Sequence, residues 1–303
     1  MIKPSYLNML ENGSLKNVVE KLYDMLENCV LCPHQCQVNR LKGEKGYCKT
    51  LDSIVFSGAE AHFGEEDELV GTYGSGTIFF SHCNLNCVFC QNYEISHCGY
   101  GELISIEDLA RVMLNLQRRK CHNINLVSPG HIVPQIVSAI EIAANNGLNI
   151  PIVYNSNGYD LVDTLKMLDG IIDIYLPDIK FADEQPARKY LKVRDYPKIA
   201  KNALLEMHRQ VGNLKTTNNI AYRGLIIRHL IMPENLAGTE EIMEFIAKEI
   251  SKDTYINIMA QYSPHYKSSF YEELNRRVTK EEYQMAIKAA KKAGLSRVKG
   301  YGH

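Results

Sequence analysis

The sequence predicts an α/β fold built on a parallel sheet, preceded by a small cysteine-rich, metal-binding extension. Three observations carry this expectation. From residue 77 onward, short apolar runs of strand length alternate with longer stretches of helical period. Such alternation implies parallel pairing through right-handed crossovers, and six units are too few for a closed eight-stranded barrel. Ahead of them, four of the nine cysteines fall between residues 29 and 48.

Residues 7–28 read as one amphipathic helix, with Leu15, Val18, Val19, Leu22 and Leu26 on one face. The cysteine-rich stretch Cys29-Val30-Leu31-Cys32-Pro33-His34-Gln35-Cys36 follows, and then Gly46-Tyr47-Cys48. Residues 53–76 are rich in glycine and acidic residues, including Phe63-Gly64-Glu65-Glu66, and suggest short strands and turns. Candidate strands are 77–81, 123–128, 151–155, 171–176, 224–231 and 254–259. Helical stretches lie near 105–119, 133–146, 159–168, 183–213 and 238–250, with a last one near 279–293. The expected division is an N-terminal module over 1–76 and the strand–helix array over 77–303.

Composition narrows the function classes. Hydrophobic residues make up 45% and charged residues 23% of the 303, ordinary for a soluble globular protein. A formal charge of −1 gives no electrostatic argument for binding nucleic acid or an anionic membrane. No apolar stretch approaches the ~20 residues that span a bilayer. Met1-Ile2-Lys3-Pro4-Ser5-Tyr6 has no apolar signal core behind its lysine, so the expected location is the cytoplasm. Nine cysteines in that setting point to thiolate ligands rather than disulfides.

The most informative stretch is Ser81-His82-Cys83-Asn84-Leu85-Asn86-Cys87-Val88-Phe89-Cys90-Gln91-Asn92, directly after the first strand. A cubane iron–sulfur cluster normally takes four cysteine thiolates. The C-x3-C-x2-C spacing of Cys83, Cys87 and Cys90 supplies three on one loop and leaves the fourth iron open. A metal site one ligand short of closure is a place for chemistry. Three reduced core cysteines are the bland alternative, but an Asn-rich loop outside any apolar run does not suit them.

This loop, with the aromatic Phe89 before its last cysteine, resembles the cluster loop of the radical S-adenosylmethionine enzymes. More narrowly, the chain from about Cys29 to about Val298 resembles the branch similar to pyruvate formate-lyase activating enzymes. The resemblance implies a partial (βα)6 barrel and a 4Fe–4S cluster whose open iron chelates the amino and carboxylate groups of S-adenosylmethionine. One electron then releases methionine and a 5′-deoxyadenosyl radical. It also implies a reductant such as flavodoxin or ferredoxin, and hydrogen abstraction from a protein or peptide substrate, for example a glycyl residue. The same chemistry on a small metabolite, or in modifying a peptide or cofactor, is the alternative.

In parallel barrels active residues sit at the C-terminal strand ends. The second strand ends in Ser128-Pro129-Gly130-His131. Related enzymes have an acidic-ended, glycine-rich stretch there that binds the cofactor's amino group; this chain lacks the acid, which leaves Ser128 and exposed backbone. His131 reads as a solvated loop residue. At the third strand end, Asn155, Ser156 and Asn157 supply groups for ribose hydroxyls or a carboxylate, or form a simple Asn-Gly turn. On the fourth, Asp178 and Lys180 share a face. The resemblance places a monovalent cation near that Asp, and a buried ion pair is the alternative. On the fifth, Arg228 needs a partner if buried, and the resemblance gives it the methionyl carboxylate, with His229 facing away. Gln261 and Tyr262, after the sixth strand, would edge the adenine.

Cys29, Cys32, Cys36 and Cys48 form C-x2-C-x3-C-x11-C, a closed four-thiolate set for a second 4Fe–4S cluster or a structural zinc. Zinc more often joins two C-x2-C pairs, and this set contains one. Cys98 and Cys121 read as ordinary reduced cysteines. A different class of protein, a non-catalytic electron carrier or metallochaperone, would require the first cluster to be fully ligated.

Overall fold

Seven strands run parallel, because the last helix feeds a strand that the alternation did not reveal onto the edge of the sheet. The structure, a computed structural model, describes residues 2–301. In chain order the strands are β1 Ile54–His62, β2 Ser75–Phe80, β3 Glu102–Ile104, β4 Ile124–Val127, β5 Ile152–Ser156, β6 Ile174–Pro177, β7 Lys215–Thr217, β8 Ile220–Leu230, β9 Tyr255–Met259 and β10 Arg297–Tyr301. The sheet order is β10-β9-β8-β6-β5-β4-β2-β1-β3, with β7 a short antiparallel partner of β8. From β10 to β2 every pairing is parallel. β1 and β3 add an antiparallel edge.

Each crossover carries a helix: Ile106–Arg118, Val133–Asn145, Val162–Met167, Tyr196–Val211, Thr239–Phe245 and Lys280–Ala293. Ile106–Arg118 and Lys280–Ala293 open on capping boxes, Ser105 with Asp108 and Thr279 with Glu282, which satisfy the first free N–H groups. The six expected strands and the crossover helices are present with shifted ends. Three segments differ from expectation. The first helix is two, Tyr6–Glu11 and Ser14–Asp24, split where Gly13 takes φ 77°. Residues 53–76 form one nine-residue strand, β1, and a single helical turn, Asp67–Val70, instead of several short strands. The stretch 183–213 breaks after a wide turn at Ala187–Leu191, where Lys192 takes φ 67°, and restarts at Tyr196 with Pro197 in its first turn.

Inside the sheet's curve, Leu69, Val153, Ile174, Leu176, Ile226 and Tyr255 form a core of their own. The two-residue period of a strand carries these inward positions onward to Asn155, Asp178 and Arg228 at the C-terminal ends. Among the described residues no helix is long and apolar enough to cross a membrane.

His131 is not solvated: it is 2% exposed and donates from Nε2 to the Ser81 carbonyl at 2.9 Å. The cause is the turn after β4, which folds back over the end of β2. His229, fully buried and facing away from Arg228, bonds the Ile179 carbonyl at 2.8 Å and the Thr239 hydroxyl at 2.9 Å. Burial pushes His131 down to about 3 and His229 to about 4, from 6.5. In that window the unfolded chain binds the extra protons, so stability is full above 6.5 and falls as pH drops toward 4. His229→Gln should flatten the slope by about 1.4 kcal/mol per pH unit between pH ~6 and ~5, read from urea unfolding. An unchanged slope would show that His229 titrates normally.

Candidate active site

One cavity of about 490 Å³ opens at the C-terminal ends of the parallel strands, a volume in the usual range for small-molecule sites. Cys83, Cys87 and Cys90 form one wall. Phe89, Ser128, Asn155, Ser156, Asn157, Asp178, Lys180, Arg228, Gln261 and Tyr262 all line it too. The topology therefore brings together every residue that the strand-end argument selected.

Backbone hydrogen bonds from two neighbours hold the cysteine loop. Asn86 N–H donates to the Leu191 carbonyl at 3.3 Å and Val88 N–H to the Tyr190 carbonyl at 2.9 Å. Both carbonyls are available because the helix breaks just beyond them. From the other side, Lys267 N–H donates to the Val88 carbonyl at 2.9 Å. Leu85 and Val88 are buried and pin the loop. Phe89 stands edge-on to Phe181 and Tyr262, each at 6.1 Å.

The sulfurs meet donors. Leu85 N–H lies 3.4 Å and Asn157 Nδ2 3.3 Å from Cys83 Sγ, and the Ser96 hydroxyl is 3.1 Å from Cys90 Sγ. Burial pushes the Cys83 thiol up to about 11, and that of Cys87 higher still. Metal ligation is what makes such thiols anionic. Among the described residues no three Cys, His, Asp or Glu side chains converge on one metal ion. The three soft donors sharing one cavity wall, with hydrogen bonds aimed at sulfur, suit a multi-iron cluster.

The strand ends depart from several expected roles. The Ser156 hydroxyl is taken by buried Asp160, which also accepts from Tyr154 at 2.9 Å. Asn157 spends its amide on Cys83 and on Asn84 Oδ1 at 2.7 Å, and its oxygen on Tyr159 N–H. Asn157 therefore positions the cysteine loop, aimed there by an Asx turn at 157–159, while Ser156 braces the turn through Asp160 and Gly158 N–H. Asn155, 9% exposed, makes no side-chain hydrogen bond among the described residues and remains open to a ligand. Ser128 takes φ 52°, presenting backbone into the cavity from a conformation that is strained for serine. Lys180 donates to Asp178 at 2.5 Å, so the carboxylate has its counter-charge without a monovalent cation. Burial works against the Lys180 charge, but Asp178 and Cys87 raise its pKa overall. The Tyr262 hydroxyl is held by the Leu274 carbonyl at 2.8 Å, leaving its ring on the cavity, while Gln261 is exposed.

Arg228 requires the largest correction. Its partner is not a cofactor carboxylate but a pair of glutamates from the β1–β2 connection. Nε and Nη2 each reach Glu66 at 2.7 Å, and Nη2 also bonds Glu65. Glu66 is fully buried and accepts from Asn257 at 2.8 Å; Glu65 accepts from Asn125 at 3.0 Å and lines the cavity. Burial opposes every charge here, yet the contacts prevail: Glu66 is held below the ordinary carboxylate range and Arg228 above its own. The signal was available in part, since a cation in an apolar strand demands an anion and Glu65-Glu66 was the unassigned acidic pair.

Of the remaining cysteines, Cys29, Cys32 and Cys48 are buried and Cys36 is half-buried, while Cys98 is exposed and Cys121 buried. Neither of the last two lines the cavity.

Comparison with known proteins adds a family. The Radical SAM superfamily model matches residues 77–246, more than half of the chain. The uncharacterized protein MJ0674 of Methanocaldococcus jannaschii is 35% identical over 303 residues, covering 97% of this chain and 81% of that protein. The uncharacterized protein MJ0808 of the same organism is 25% identical over 271 residues, covering 82% and 74%. A solved structure of TYW1 with a lysine–pyruvate adduct bound aligns over 72% of each chain, at 13% identity and a TM-score of 0.43.

Glu66→Ala should destabilise the protein by about 3–5 kcal/mol, the usual cost of stripping a buried charge of its partner. Urea unfolding measures it. A loss under ~1 kcal/mol would mean that Glu65 alone satisfies Arg228.

Proposed function

The chain belongs to the Radical SAM superfamily, and on that footing we propose that it cleaves S-adenosylmethionine reductively at a cluster held by Cys83, Cys87 and Cys90. The carrying observation is the three-cysteine loop facing a cavity lined by the strand ends. These three thiolates would hold a 4Fe–4S cluster, which would supply one electron to the sulfonium of S-adenosylmethionine, releasing methionine and a 5′-deoxyadenosyl radical for hydrogen abstraction. The protein's own residues bind, orient and shield. Leu85 N–H and Asn157 donate to Cys83 Sγ and so favour added negative charge on it. Lys180, close enough to Cys87 for each to shift the other's titration, acts in the same direction. Asn155 offers an uncommitted amide to the ligand, the strained turn at Ser128 offers backbone, and Phe89 and Tyr262 offer ring surface. Cys98 stands outside the cavity, so no fourth cysteine completes the set, which argues against an electron carrier ligated by cysteines alone.

For the substrate, the reading is a hydrogen on a protein or peptide chain, such as a glycyl residue, with flavodoxin or ferredoxin as reductant. Support comes from the Asp178-Ile179-Lys180 pair on the cavity wall, the feature shared with the activating-enzyme-like branch.

Anaerobic reconstitution followed by S-adenosylmethionine and a strong reductant should give equal amounts of 5′-deoxyadenosine and methionine, absent in Cys87→Ala. No cleavage by a confirmed, reducible cluster, with and without cell extract, would favour the carrier. Asn155→Ala should weaken S-adenosylmethionine binding about 5–10-fold, one hydrogen bond's worth, with the melting temperature unchanged. Equal affinity would remove Asn155 from the pocket's working set.

A further inference from the structure

We infer that Cys29, Cys32, Cys36 and Cys48 hold a second iron–sulfur cluster, packed against the loop of the first and charge-balanced by the buried Arg40. The inference does not depend on cleavage of S-adenosylmethionine. Cys29, Cys32 and Cys48 are buried and Cys36 is half-buried, and the Cys32 carbonyl accepts from Gln35 N–H, next to Cys36, at 3.0 Å. Two backbone bonds draw the set together: Cys29 N–H donates to the Val38 carbonyl at 2.9 Å, and Gln37 N–H to the Cys29 carbonyl at 3.0 Å. Tyr47 N–H points at Cys36 Sγ from 3.3 Å. At Gly46 an added Cβ would stand 2.8 Å from the same sulfur and force the Cys36 side chain to move.

Arg40 is the independent observation. It is 1% exposed, and its guanidinium donates to the His131 carbonyl at 2.8 Å and to the Leu51 carbonyl, with Nη1 4.0 Å from Cys29 Sγ. Among the described residues it has no carboxylate partner, whereas buried Arg228 has two. Carbonyls solvate a guanidinium but leave its charge unbalanced, and a buried unbalanced charge is costly. Four thiolates on a metal centre supply the missing negative charge beside it. The set contains one C-x2-C pair where structural zinc commonly joins two, which favours a cluster.

The centre adjoins the first one. His34, two residues after Cys32, bonds the Asn84 carbonyl at 2.8 Å and stacks on Tyr47 at 3.8 Å. Asn84 lies between Cys83 and Leu85 on the other cysteine loop, and Tyr47 is within electrostatic reach of Cys83 and Cys87. One ring pair thus separates the two cysteine sets.

The test uses the full chain carrying Cys83→Ala, Cys87→Ala and Cys90→Ala, reconstituted without oxygen, so the N-terminal module stays intact. About four irons and four sulfides per chain should remain, half of the eight expected when both cubanes are present. Zinc in their place would overturn the cluster, and a metal-free protein would overturn the site. Within that variant, Arg40→Met should shift the remaining cluster's midpoint potential to more negative values than Arg40→Lys, which keeps the charge. Equal potentials would remove Arg40 as its counter-charge.

Discussion

The buried contact of Arg228 with Glu66 and Glu65 is the constraint on which the site depends. It ties the connection before β2 to β8, and through Asn125 and Asn257 to β4 and β9. Each charge is removed from water, and each is tolerated because the geometry gives it a partner; two carboxylates hold the guanidinium at Nε and Nη2. Just below, Leu69 from the same connection packs on Val153, Ile174 and Ile226. The floor of the cavity is thus apolar beneath and ionic above. This places a rigid charged layer under the strand ends.

Above that layer, the cysteine loop is positioned by its neighbours more than by itself. A helix that stops early leaves the Tyr190 and Leu191 carbonyls free, and the loop's own N–H groups complete them. A broken helix is usually a loss of regular hydrogen bonding; here the lost bonds reappear between two elements and fix where three thiols stand. Asn157, just beyond β5, does the same through Cys83 and Asn84, so a side chain that looks like a ligand-binding group serves the loop instead.

The two cysteine sets are joined through His34, Tyr47 and Asn84. The segment from Cys29 to Cys48 is therefore built against the site, and His131, which accepts Arg40 on its carbonyl and donates to Ser81, links it to the end of β2. Loosening one set would be felt at the other through that short chain of contacts.

Local pattern determined a good deal. Alternating apolar runs specify strands and crossovers because periodicity is a property of neighbours along the chain. The C-x3-C-x2-C spacing names its chemistry because ligands for one cluster can sit on one loop. The inward facing of Asn155, Asp178 and Arg228 follows from a period of two. Tertiary structure decided the pairings. Nothing near Arg228 in the sequence names Glu66, 162 positions away, and nothing near Asn157 names Cys83 and Asn84, 74 and 73 positions away. The burial of His131 and the added strand β10 are of the same kind. A hydrogen-bonding group's role is settled by which partner reaches it first in space, and chain periodicity carries no record of that distance.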